Sequence, residues 1–204
     1  MKTEMIKEMT AKVSDVQTAQ EALYALLEKI EVEQSENKQT VAELQGQIET
    51  AQEALTLAVD ISEAKLLRQQ VNILQEELEL TETVSGAKAN AYHAEIEAKA
   101  EVFFKVHKGA KFLFSTVDNY FVAHTSIATL EQDKEALQGF TRDLNSSFRF
   151  VRQVLLDTGV ITLAEANLTY KGIHLGARDI ETELIRYGLK VKAYIQELKQ
   201  AGKL

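Results

Sequence analysis

Apolar residues recur at alternating intervals of three and four along most of this chain, a spacing that predicts helix nearly throughout. In the first part Ile6, Met9, Val13, Val16, Leu23, Leu27, Ile30, Val41, Leu44, Ile48, Ala51, Leu55 and Ala58 keep one register. That is a heptad seam of the kind that winds helices into coiled coils. Gln20, Gln34, Asn37 and Ser62 are the polar members of the register, and two of them fall in "EQSENKQ". With no Gly or Pro there, the stretch reads as a polar layer in a continuous helix, with a turn at 34–38 as the alternative. Past Ala58 the seam slips to Ile61, Ala64, Leu67, Val71, Leu74 and Leu78, a phase break of the kind that locally unwinds a coiled coil. Ser85-Gly86 then offers a helix end. One helix of about 80 residues, roughly 120 Å long at 1.5 Å per residue, is the expectation.

From Ala87 onward the stretch 102–127 is ambiguous. It is rich in aromatic and β-branched residues, and Lys108-Gly109 and Asp118-Asn119 could turn a small β-meander. The register Tyr92, Ile96, Phe103, Val106, Ala110, Leu113, Val117, Tyr120, Ile127 runs through both of those turns, which favours helix. Leu137, Phe140, Leu144, Phe148, Val151 and Leu155 continue the helical pattern. Thr162 with Glu165 has the form of a capping box, and Ile161 that of a hydrophobic staple. Leu163, Ala166, Tyr170, Ile173, Ala177, Ile180, Leu184, Tyr187, Val191, Tyr194 and Leu198 then predict a last helix to about Gln200. The expected fold is all-α: an elongated antiparallel helical bundle with long coiled-coil helices. An acidic arm over 1–86 and a helical body over 87–204 pack together, or form one continuous domain.

Composition sharpens this picture. Pro, Cys and Trp are absent from the 204 residues. Lack of Pro fits a loop-poor chain, and lack of Cys removes disulfides, thiolate ligands and cysteine nucleophiles. No apolar run is long enough for a signal peptide or a membrane span, so the expected setting is the cytoplasm, or a virion if the chain is viral. The net charge of −8 disfavours non-specific nucleic-acid binding. It is uneven: −10 up to Gly86 and +2 beyond.

Candidate chemistry is sparse. Asp157-Thr158-Gly159, after the apolar run of "VRQVLLDTGVITL", resembles the active-site signature of retroviral-type aspartic proteases, which would make Asp157 half of a catalytic dyad. Those enzymes are all-β, whereas this triplet lies between helical patterns, so it reads as a helix end with Gly159 in the left-handed conformation. His93, Glu97 and Glu101 share a helix face but read as solvated. The Glu-x-x-His pairs of a di-iron bundle are missing. No catalytic, cofactor-binding or metal-ligating cluster is assigned. Arg142, Asn145, Arg149 and Arg152 line one helix face; phosphate contact is one reading, and pairing with acidic side chains the preferred one. Gly172 and Gly176, one turn apart in the expected last helix, suggest close packing against another backbone, with Tyr187 on the same element's seam.

These features predict a non-catalytic structural, scaffolding or adaptor protein. It would act by protein-protein assembly or self-association through the first seam, in a setting such as a bacterial or phage complex. Partner contacts are expected at Gly172, Gly176, Tyr187, Arg142, Arg149 and Arg152. A nucleic-acid-associated regulator using the basic face, and a bundle enzyme with an unrecognised site, are the alternatives.

Overall fold

A computed structural model describes residues 1–176 and 179–200. The elements in order are α1 (Lys2–Leu57), α2 (Ile61–His124), α3 (Leu130–Asp157), α4 (Leu163–Ala166), β1 (Thr169–Tyr170), β2 (Ile173–His174) and α5 (Glu183–Gln200). The chain is an all-α bundle of long helices carrying one small β-hairpin. It divides into two compact units: a hairpin unit, Tyr24–Ile96, and a core unit that joins Met1–Leu23 to Glu97–Leu204.

In the hairpin unit the end of α1 and the start of α2 run antiparallel. Leu44, Ile48 and Ala51 pack against Val71 and Leu74, with Leu78 alongside. Asn37 donates from Nδ2 to Ser85 Oγ, which in turn donates to the Thr81 carbonyl at 2.6 Å. The polar stretch 34–38 is therefore a layer inside a continuous helix, and a polar pair at a seam fixes register. Next to it the Tyr92 hydroxyl donates to the Glu33 carboxylate. This bond pushes the tyrosine up to about 12 and holds Glu33 below the usual carboxylate range.

The first helix is shorter than the pattern suggests. The turn falls at Ala58, Val59 and Asp60, where the seam changes phase, and Gly86 lies inside α2. Val59 is 99% exposed, so the turn buries little. The Asp60 carboxylate accepts from the Ser62 amide at 3.3 Å, helping to satisfy an amide that a helix start leaves unpaired. A phase slip and a reversal look alike in one sequence, because an antiparallel partner restarts the register. The seam of α1 is covered within the chain: Met9, Val13, Val16, Leu23, Ile30, Leu44, Ile48 and Ala51 are all buried. Ile6, Leu27, Val41, Leu55 and Ala58 of the same seam are half-buried.

In the core unit the stretch 102–124 is helical throughout, which excludes the β-meander. Phe103, Phe104, Phe114, Val117 and Phe121 of α2 pack in a core with Leu137, Leu144, Val151 and Leu155 of α3 and Met9 and Val16 of α1. Lys2 Nζ donates to Asp133 at 2.6 Å and stands 4.9 Å from the Phe121 ring centroid. α3 ends at Asp157, with Thr158 as C-cap and Gly159 at φ +72°. The Gly159 amide reaches the Leu156 carbonyl at 3.1 Å, and Thr158 Oγ1 donates to the Val154 carbonyl at 2.7 Å. The Asp-Thr-Gly triplet is thus a helix end. The Thr162–Glu165 capping box is present, and Ile161, just before it, is buried.

The expected long last helix is absent. Among the described residues of 163–200 only α4 and α5 are helical, and a two-residue turn at Lys171 (φ 46°) and Gly172 (φ 78°) joins β1 to β2. Tyr170 pairs with Ile173 across that turn. Residues flanking a two-residue turn stand opposite each other on one sheet face, so a spacing of three marks a hairpin as well as a helix turn. Positive φ at two successive residues suits the turn that matches strand twist, and Gly adopts it without steric cost. Ala177, the next member of the expected register, lies outside the described residues.

Candidate functional site

The arginine face lies on α3, where the 3.6-residue period lines up Asn145, Arg149 and Arg152. Asn145 brackets the Ile180 backbone, donating to its carbonyl at 3.0 Å and accepting from its amide at 2.8 Å. Arg149 pairs with Asp179 through both Nε and a terminal nitrogen. Arg152 donates to the Ala166 carbonyl at 3.0 Å and to Asn167 Oδ1 at 3.1 Å. These three side chains bind the segment after α4 to α3. Their counterparts are nearby backbone and Asp179, not the acidic first part of the chain. Arg142 stands apart, 81% exposed beside Asp143.

The other candidates divide. Gly172 is in the β-turn with open space around it, whereas a Cβ on Gly176 would meet the Asn167 carbonyl oxygen at 2.5 Å. The close backbone approach therefore exists at Gly176, but in a loop and against Asn167. Tyr187 is on α5, 38% exposed. The glycine of α5 that packs closely is Gly188, whose Cβ would meet Lys134 at 3.3 Å and Leu130 at 3.6 Å. Glu97 and Glu101 are engaged by the β-hairpin: Tyr170 donates to Glu97, and Lys171 pairs with both carboxylates. Burial and the Glu97 bond push Tyr170 up to about 12, and the hydrogen bonds from Tyr170 and Lys171 lower Glu97.

Buried polar groups elsewhere have structural partners. The Asp118 carboxylate on α2 accepts from Thr182 Oγ1 at 2.5 Å and from the Glu183 and Leu184 amides at 2.6 and 3.3 Å. It satisfies the first amides of α5, which have no partner within their own helix. Burial would raise Asp133, but hydrogen bonds from Lys2, Thr125 and Thr129 outweigh it and leave that carboxyl below its usual range. Burial lowers His107, whose Nε2 donates to the Leu144 carbonyl at 3.1 Å.

One surface escaped the sequence reading. Leu66, Ile73 and Leu80 of α2 are 68%, 62% and 66% exposed, and Val84 is exposed beyond them. Their spacing of seven places them on one face, beside the buried face of Val71 and Leu74. One turn after the first two stand Gln70 and Glu77, giving a mixed apolar and acidic stripe about 27 Å long from Leu66 to Val84. The signal was a second heptad, hidden because each helix was assigned a single seam. The hairpin unit carrying it has five Lys/Arg against fourteen Asp/Glu, a net of −9, while the rest of the chain sums to +1. Among the described residues no helix is long and apolar enough to cross a membrane. Compared with family models, curated proteins and solved structures, the chain finds no match.

Proposed function

We propose that this protein is a non-catalytic scaffolding or adaptor element that works by protein-protein assembly. Its docking face is the Leu66-Ile73-Leu80-Val84 stripe of the hairpin unit. The supporting observation is that three large apolar side chains stand in water at heptad spacing. Each forgoes roughly 1.5–3 kcal/mol that burial would contribute. Knobs at this spacing fit the holes of a facing helix. The partner is a basic amphipathic helix: a unit of net −9 repels its own copy and attracts Lys and Arg, and Glu77 sits where a cation of the partner would face it. The basic face of α3 lends less support to nucleic-acid binding, because Arg149 and Arg152 are held by Asp179, Ala166 and Asn167.

A photo-crosslinking residue in place of Ile73, introduced in the native host, tests this. The expected product is a crosslink to a basic, heptad-patterned segment of another protein. It should weaken with Glu77→Lys and vanish with Leu80→Asp, while both variants melt like the parent. Crosslinks only to a second copy, or none, would refute the assignment.

A further inference from the structure

A cavity of ≈ 200 Å³ lies in the core unit where α2, α3 and the β-hairpin meet. Phe104, His107, Lys108 and Lys111 of α2 line it with Phe148 of α3 and His174 of β2, and the β-turn at Gly172 completes the wall. No carboxylate is among these lining residues. Lys108 and Lys111 make no ion pair or hydrogen bond among the described residues. The neighbouring Lys171 shows the contrast, since Glu97 and Glu101 both hold it. Two uncompensated ammonium groups beside one cavity attract an anion.

The remaining wall is apolar and mostly aromatic, with Ile173 beside the rings. Phe148 lies edge-on to Phe104 at 5.7 Å and 5.1 Å from the His107 ring. The histidine tautomers are set by carbonyls, which only accept. His107 therefore carries its proton on Nε2, facing Leu144, and His174 donates from Nδ1 to the Leu168 carbonyl at 2.9 Å. Burial favours the neutral form of His107, in which Nδ1 is an acceptor, and that atom has no protein hydrogen-bond partner among the described residues. An apolar cavity of about 150 Å³ holds one benzene ring, so this one has room for a single substituted ring.

We propose that this cavity binds a small single-ring aromatic acid that also carries a hydroxyl group. The acid sits between Lys108 and Lys111, the ring against Phe104 and Phe148, and the hydroxyl donates to His107. The site is built from the core unit alone and does not depend on the docking face.

Calorimetry on the full chain tests it with 4-hydroxybenzoate, benzoate, phenol and phenyl phosphate. Saturable binding of 4-hydroxybenzoate is expected. Benzoate, lacking the hydroxyl, and phenol, lacking the acid, should each bind about tenfold more weakly. Phenyl phosphate binding more tightly than benzoate would assign the acid as a phosphate, and the reverse as a carboxylate. Lys108→Gln with Lys111→Gln, both exposed, should remove the preference for acids over phenol with no change in melting. Absence of saturable binding by any of the acids, or acid binding untouched by the double substitution, would overturn the proposal.

Discussion

Asn167 presents its carbonyl oxygen 2.5 Å from where a Cβ on Gly176 would stand. Helix propensity alone would favour Gly176→Ala by up to about 1 kcal/mol. The structure reverses the sign: the methyl displaces backbone, at about 1–3 kcal/mol. Denaturant unfolding of the variant should show that loss, and equal or greater stability would mean the loop yields freely. The need for closeness at Gly176 was legible in the sequence, but its partner was not, because a backbone oxygen nine residues away leaves no trace in side-chain pattern. His107 gives a pH dependence. Its folded pKa lies below the ordinary 6.5, so between the two values the unfolded chain binds more protons, and stability rises with pH. It is fully present above about 6.5 and lost as pH falls toward the folded value. His107→Gln should flatten the melting temperature across that window. The lowered carboxyls, Glu33, Glu97, Glu131, Asp133 and Glu165, contribute stability lost only at more acid pH, as the solution falls through their depressed values. A slope near pH 6 that survives the substitution would assign it to another group.

At the scale of elements, a glycine misled and a valine would have guided. Ser85-Gly86 looks like a helix end, yet Ser85 bonds back to Thr81 and nothing stands within 4 Å of a Cβ at Gly86. Gly86→Ala should therefore stabilise α2 by about 0.5–1 kcal/mol, measured by denaturant unfolding; a loss would place a helix break there. The true turn has neither Gly nor Pro, only half-buried Ala58, fully exposed Val59 and the capping Asp60. The register change at Ala58 was visible, but a slip within one helix and a reversal between two predict the same apolar positions. Long helices were legible because Leu137, Leu144 and Val151 repeat a burial pattern over many turns. The four residues of β1 and β2 were not, since Tyr170 and Ile173 satisfy helix and hairpin alike.

For the whole molecule, the sequence showed uneven charge, and the fold concentrates it: −9 lies within Tyr24–Ile96. Self-repulsion at neutral pH should keep copies apart at physiological salt and weaken near 1 M salt, where the screening length shrinks to about 3 Å. Sedimentation equilibrium should then find salt-promoted self-association that Ile73→Asp abolishes. Association that falls with added salt would show attraction between copies instead. The same stripe divides the kinetics of partner capture in two. Carboxylates such as Glu77 act while the partner is still diffusing, so salt should slow arrival. Leu66, Ile73 and Leu80 act only after contact has squeezed out water, so trimming them should shorten the lifetime of the complex and leave the arrival rate almost unchanged.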